Sequence, residues 1–347
     1  MAHEHLIKGT GPLLDAQGRL REPGYAFRPP FTYSHDDIAA SPLRIKDWDY
    51  YLVNDDDFAV ALTFSDLGYI GLVSASVIDF SRRLYRTTSE LVLLPLGRMG
   101  VPASSDEGDI LWENERVRVE FRHVTVGRRL SFHMKKFYGE DDLDVELLLD
   151  RAPRDSMVIC TPWAKNEKAF YYNRKVLGMR ARGAFRRGGE LHEFRGDSSL
   201  GLLDWGRGVW TYDNVWYWAA AQGWQDGHVV ALNLGYGFGD TSAASENMAF
   251  VDGVAHKLGR VDFGIPTYQD ATYRYLEPWH MTDDEGRLDL AFAPEIDRVD
   301  DIDVAGIVSS QQHQVFGKLT GSVTLDDGRV LELCDLRYAA EHIHNRY

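Results

Sequence analysis

Strict alternation of apolar and polar residues constrains this chain more than any other feature. In "RVRVEFRHV", Val117, Val119 and Phe121 point one way while Arg116, Arg118, Glu120 and Arg122 point the other. "RRLSFHMKKF" repeats the pattern with Leu130, Phe132 and Met134, and "LDVELLLD" with Leu143, Val145, Leu147 and Leu149. "GRLDLAFAP" adds Leu288, Leu290 and Phe292. A period of two is the signature of a half-buried β-strand, because successive side chains leave a strand on opposite faces.

Glycine-centred turns punctuate these runs: "RRGGEL", "QDGHVV", "DEGRLDL" and "LDDGRVLEL". Such turns join adjacent antiparallel strands. Helical spacing is scarce. It is met in "DLRYAAEHIHN", where Leu336, Ala340 and Ile343 fall on one helical face, so a short C-terminal helix is expected. The fold class expected is all-β, in barrels or sandwiches. With 347 residues the chain is long enough for two domains. The expected division is a Gly- and Pro-rich extended segment over 1–42, a β domain over 43–187 and a second over 188–347. The junction is placed in the polar stretch "RRGGELHEFRGDSSLG".

A formal charge of −15 argues against binding a phosphate backbone, which needs clustered cations. The nearest approach, Arg180, Arg182, Arg186 and Arg187, reads as a solvated hairpin. Two cysteines, Cys160 and Cys334, allow neither a disulfide framework nor zinc-ligand spacing. The first residues lack a signal peptide's basic and apolar regions, and no apolar run is long enough to span a bilayer. A cytoplasmic protein without a membrane span, metal or cofactor is expected.

The most concentrated chemistry lies in "DWGRGVWTYDNVWYW", Asp204 to Trp218. In an extended strand Asp204 and Trp210 share one face, Trp205 and Arg207 the other, and Trp216 and Trp218 share a face that Tyr217 leaves. Gly206 and Gly208 leave bare backbone on the Asp204 face, which marks a close approach by another chain segment or a ligand. An aspartate among apolar walls has a raised pKa and can act as an acid near neutral pH. The competing reading is an aromatic core, in which each buried indole N–H must find a partner.

Other stretches are weighed similarly. Gly235, Gly237 and Gly239 resemble a dinucleotide loop, but no βαβ context follows. Glu246 and Asn247 offer a second carboxylate with a polar neighbour, or fasten their own loop. His256, His313, His342 and His344 read as structural. "PWAKNEKAFYYNRK" groups Trp163, Tyr171 and Tyr172 with Lys165 and Lys175, as a second aromatic wall or as strand packing. No Gly-x-Ser-x-Gly elbow is present.

The succession "RIKDWDYY", "DLGYIG", "DWGRGVWTY", "NLGYGFGDTSAASEN", "HKL", "QHQVFG", "LDDG" and "EHIHNRY" resembles a bacterial domain-of-unknown-function family, number 2804, over about residues 11–347. That family is distantly similar to the tandem lipocalin-like group of carotenoid hydratases and AttH-type proteins. The resemblance implies two packed lipocalin-like β-barrels and places a catalytic acid at Asp204 in "LLDWGRGVW". The aspartate–histidine pair common in those distant relatives is replaced here by Asp204–Trp205.

The functional expectation is an enzyme of hydratase, isomerase or cyclase type acting on a mostly apolar small molecule. Asp204 would be the general acid. Arg207, Trp210, Tyr212, Trp216, Trp218, Glu246 and Asn247 would form the substrate-binding wall, with Arg207 orienting a head group or pairing with an acid such as Asp213. Two alternatives stand beside it. One is a non-catalytic carrier of a lipophilic ligand. The other is a carbohydrate-active protein pairing Asp204 with Glu246 or Asp240 at roughly 5 to 9.5 Å. Oligomeric state is not legible in the sequence.

Overall fold

A computed structural model describes residues 4–304 and 308–346. The alternating runs form strands as expected, and the turn between each pair is the one its glycine marked. The chain builds two curled antiparallel sheets, each a half-barrel.

At the centre of the first sheet, Leu200–Val209 lies between Ile45–Asn54 and Asn166–Arg187. Phe58–Asp66, Ile70–Asp79 and Leu84–Leu93 extend it one way; Asp141–Asp150, Gly127–Tyr138, Val117–Val124 and Ile110–Glu113 extend it the other. Its ends curl together. Glu90, on the last strand of one side, accepts hydrogen bonds from Asn114 (2.8 Å) and Arg116 (3.1 Å) on the other.

In the second sheet Val330–Arg346 is the central strand, between Asp213–Gln225 and Val308–Thr324. His228–Tyr236, Met248–Val251 and Val254–Lys257 continue one side; Leu288–Val304, Trp279–Asp283 and Val261–Asp262 continue the other. Arg287 donates to the carbonyl of Lys257 at 2.7 Å and ties the two sides together.

Two expectations are corrected. Residues 330–346 form a strand rather than a C-terminal helix. Both edges of this segment are paired, one with Asp213–Gln225 and the other with Val308–Thr324. Two ladders outweigh a fortuitous helical spacing of Leu336, Ala340 and Ile343. Secondly, "RRGGELHEFRGDSSLG" is a hairpin within the first sheet, since Glu190–Phe194 pairs with Asn166–Arg187. The chain changes sheets after Val209, and the second sheet opens at Asp213.

The alternation divides the buried residues into three layers. One fills the curl of the first sheet around Phe64, Phe132, Tyr172 and Trp205. Another fills the second around Phe263, Trp279, Phe292 and Tyr338. The third lies between the sheets and draws on both: Leu52, Tyr171, Leu202 and Trp210 from one, Trp218 and Phe316 from the other. Residues 4–42 wrap the first sheet, burying Leu13, Leu14, Phe31 and Tyr33 in its core, and Gly24–Ala26 adds to Met157–Trp163.

Candidate functional site

Strand parity settles which way the aromatic motif looks. Trp205, Arg207 and Val209 point into the filled curl of the first sheet; Leu202, Asp204 and Trp210 point to the layer between sheets. On the facing sheet Trp216 and Trp218 belong to the same intersheet layer, while Tyr217 turns into the second curl.

Arg207 is therefore not beside Asp204. It is fully buried and bonds Asp49 at 2.9 Å, with further bonds to the carbonyls of Trp48, Gly206 and Pro102. Its donors are consumed inside the first curl, so it cannot orient a ligand in the intersheet layer. Asp213, its anticipated partner, pairs with His344 and Arg346 instead.

Asp204 finds its cation across a different ladder. Its register partners are Lys175 on one side and Tyr50 on the other. Lys175, 1 % exposed, donates to Oδ2 at 2.7 Å, and Asn173 donates to Oδ1 at 2.6 Å. Both carboxylate oxygens are thus committed as acceptors. The Lys175 ammonium also lies 4.3 Å from the Trp218 ring centre, in cation–π range. The Trp218 indole donates to Asn233 (2.9 Å), which in turn donates to Glu246 Oε2 (3.3 Å).

A second polar chain meets the first. Directly opposite Trp218 in the ladder is Glu341, followed by Gln314 and then Arg298. Gln314 donates to Glu341 at 2.5 Å and to the Tyr50 hydroxyl at 3.3 Å; Arg298 donates to Gln314 at 3.0 Å. Arg298 also reaches Ser76 and Thr87 on the first sheet, at 3.3 and 3.4 Å. A continuous polar seam therefore crosses an otherwise apolar layer.

Burial controls the protonation of the seam. It pushes the Glu246 carboxyl up to about 6; Lys175 and the Asn233 hydrogen bond oppose this, and the charge of Asp204 adds to it. Burial likewise pushes Glu341 up to about 7, with Arg298 opposing and Asp204 again raising it. Removing a carboxylate from water disfavours its charged form, and a neighbouring carboxylate does so further.

Aromatic rings wall one end of the seam. Tyr171 is stacked between Trp48 (5.9 Å) and Phe238 (5.0 Å), and Trp210 stands edge-on to Trp48, Tyr171 and Trp216. Gly206 is bare for a reason: a Cβ there would lie 2.0 Å from the Trp48 indole. The close approach that the glycine implied is made by this protein's own tryptophan.

The seam is not sealed. Trp48, Tyr50, Thr63, Trp216, Arg298 and Glu341 stay only half-buried although they face the opposing sheet from within their own. Toward Leu52 and Leu202 the faces close on a gap of about 10 Å³, no larger than one water. A wider hollow of about 970 Å³, lined by residues including Asp15, Arg19, Asp37 and Glu167, lies on the open surface away from these groups.

The remaining expected residues divide. Glu246 joins the seam. Asn247 fastens its loop, accepting from the Gly235 amide (2.6 Å) and donating to the Gly259 carbonyl (2.9 Å). Tyr212 is exposed, with the Arg44 guanidinium 5.8 Å from its ring. Asp240 accepts from the Ser242 amide within its own turn. Among the described residues no three His, Cys, Asp or Glu side chains are grouped to hold a metal, and no helix is long and apolar enough to cross a membrane. Sequence reasoning missed Asn173, Asn233, Arg298, Gln314 and Glu341, and grouped Lys175 only with a second aromatic wall. Asn173 was within reach: Tyr171, Asn173 and Lys175 alternate in "YYNRK" and so share one face.

The fold is shared with a solved structure. An AttH-like protein from Nitrosomonas europaea superposes with a TM-score of 0.54 at 12% identity, over 89% of this chain and 93% of the other. Kievitone hydratase from Nectria haematococca gives 0.48 at 10% identity, over 87% and 88%. No curated protein matches the sequence. The family described as "Domain of unknown function (DUF2804)" matches residues 4–347, and the chain belongs to it.

Proposed function

We propose that the protein is an acid–base enzyme acting on a mostly apolar small molecule in the intersheet seam, with chemistry of the hydratase, isomerase or cyclase type. The observation that carries this reading is Glu341, a carboxyl held at about 7 directly across the ladder from Trp218. A carboxyl that keeps its proton near neutral pH is the group general acid catalysis requires. Glu341 delivers the proton to an alkene or enol-like carbon. The π faces of Trp48, Trp210 and Trp216 shield the positive charge that develops. Glu246, at about 6, is the group suited to accept a proton afterwards.

Asp204 takes a different part from the acid first expected of it. Its oxygens accept from Asn173 and Lys175, leaving neither to deliver a proton. Its fixed negative charge raises the proton affinity of both glutamates. The same occupancy of Asp204 favours a second reading, a carrier that binds a lipophilic ligand without turning it over.

Deuterium exchange separates the two. Apolar compounds bearing alkene, enol or enone groups are incubated with the protein in D₂O and followed by mass spectrometry. Wild-type protein should place deuterium on carbon, and Glu341→Gln should slow this at least a hundredfold. Binding without exchange, equal in both proteins, would make it a carrier.

A further inference from the structure

The seam contains a chain of contacts whose two ends are unsatisfied. Asn173 donates to Asp204, Lys175 links Asp204 to the Trp218 face, Trp218 donates to Asn233, and Asn233 donates to Glu246. At one end Asn173 Oδ1 has no partner; at the other Glu246 Oε1 has none. Both residues are at least nine-tenths buried. The Tyr171 hydroxyl, also buried, is unpartnered as well. Tyr171 lies on the same strand face as Asn173 and Lys175, in the intersheet layer, and burial with the charges of Asp204, Glu246 and Glu341 raises its pKa. Trp48 and Phe238 stacked on either side of its ring fix where that hydroxyl points.

Buried polar atoms without partners are uncommon, because each gives up its hydration for nothing in return. Asn173 Oδ1, Glu246 Oε1 and the Tyr171 hydroxyl, with the Trp210 indole N–H as a fourth unpartnered group in the same layer, define what would satisfy them. Asn173 Oδ1 accepts only, and ionised Glu246 Oε1 accepts only, whereas Tyr171 both donates and accepts. A ligand ether or carbonyl oxygen could use Tyr171 but would leave both acceptors bare. An ammonium would meet the acceptors but would face Lys175 and Arg298 nearby. A hydroxyl is the group that donates and accepts at one atom.

We propose that the seam recognises a planar, mostly apolar molecule through a hydroxyl on its ring, of the phenol class. The ring lies along the Trp48, Trp210 and Trp216 wall. The hydroxyl hydrogen goes to Asn173 Oδ1 or Glu246 Oε1, and its oxygen accepts from Tyr171. This rests on the seam being the ligand site, as proposed above, and adds the functional group that the site reads.

The test is a binding comparison that needs no turnover. Three probes differ in one group: 2-naphthol, 2-methoxynaphthalene and naphthalene. Affinities are read by calorimetry and by quenching of tryptophan fluorescence. Wild-type protein should bind 2-naphthol at least tenfold more tightly than either of the others. Tyr171→Phe keeps the stacked ring and should reduce that preference severalfold while leaving naphthalene unchanged. Equal affinity for naphthol and its methyl ether overturns the proposal, as does an unaltered preference in Tyr171→Phe or no binding by any probe. The wild-type probe series is informative even if the variant folds poorly. Deuterium exchange without a hydroxyl preference would refute only the phenol inference. A hydroxyl preference without exchange on any compound would refute only the acid–base reading.

Discussion

Lys175 and Asp204 form a buried ion pair at 2.7 Å on the face of the first sheet that looks toward the second. The pair spans adjacent strands, and its cation rests on a tryptophan of the opposing sheet. It joins three structural units with two side chains. Breaking such a pair leaves a charge with neither water nor partner. Lys175→Met should therefore destabilise the fold by about 3–5 kcal/mol in urea unfolding. Adding Asp204→Leu should restore much of that loss, because two apolar residues leave no charge stranded. A purely additive double mutant would show that the two residues are not coupled.

Glu341 makes stability depend on pH in an unusual direction. Its carboxyl titrates near 4.5 in the unfolded chain and at about 7 when folded. Between those values the folded chain holds a proton that the unfolded chain has released. Folding is therefore favoured on the acid side, and this contribution is lost as pH rises through about 7. Its size is at most about 3.5 kcal/mol, since each tenfold gain in proton affinity on folding is worth roughly 1.4 kcal/mol. Unfolding free energies of wild type and Glu341→Gln, measured from pH 5 to 8, should diverge along this slope. Parallel curves would remove Glu341 as a proton-holding group.

His342 contributes with the opposite sign. It stacks on Tyr217 at 4.4 Å, accepts from or donates to the Tyr275 hydroxyl at 2.7 Å, and sits directly across the ladder from His313. Burial, with the charges of His313 and His344, lowers its pKa to about 4. Between about 4 and 6.5 the unfolded chain binds the proton and the folded chain does not, so stability is lost as pH falls through this window. His342→Gln should flatten the acid limb of the stability curve by up to about 3 kcal/mol. The chemical shifts of the imidazole carbons, followed by NMR, would place the midpoint directly.

Gly206 tests whether the aromatic wall is a rigid unit. Its missing Cβ is replaced in space by the Trp48 indole, which in turn stacks on Tyr171. Gly206→Ala forces Trp48 aside and should cost about 1–3 kcal/mol, the range for overpacking a filled core. A shift in tryptophan emission should accompany it. Unchanged stability and emission would mean that the wall yields freely.

Much of this arrangement was legible in the chain. The period of two fixed the strands and the division of Asp204 and Trp210 from Trp205 and Arg207, because parity survives any later choice of partner. Partners themselves were not legible. Arg207 is neutralised by Asp49, 158 residues away in sequence. Lys175 meets Asp204 in a register that breaks just beyond the pair, between Val176 and Met179, an irregularity no local pattern announces. Glu341 was hidden by reading residues 335–345 as a helix. As a strand, the same residues alternate: Leu336, Tyr338 and Ala340 enter the second curl, while Ala339 and Glu341 face the first sheet. Trp216, Trp218 and Glu246 were legible, but Glu341, Gln314 and Arg298 could be found only after the C-terminal segment was seen to pair on both edges.

The N-terminal segment, a strap through Glu4, fastens the loop that carries Glu246, the carboxyl proposed to accept the proton. Glu4 accepts from the Ser245 amide (2.9 Å) and hydroxyl (2.8 Å), and Lys257 lies 2.6 Å from the same carboxylate. Lys257 also donates to the carbonyls of Asn247 and Leu258. Glu246 is therefore gripped on both sides by one half-buried lysine and the glutamate that balances it. Burial lowers the Lys257 pKa and Glu4 raises it, so removing Glu4 strands the ammonium. Glu4→Ala should free the Ser245 amide and loosen residues 243–247. A net loss of about 1–3 kcal/mol for this local set of bonds corresponds to roughly tenfold to hundredfold faster amide exchange there. Exchange in the central strands should be unaffected. Protection at Ser245 that survives in Glu4→Ala would show that the loop holds Glu246 without the strap.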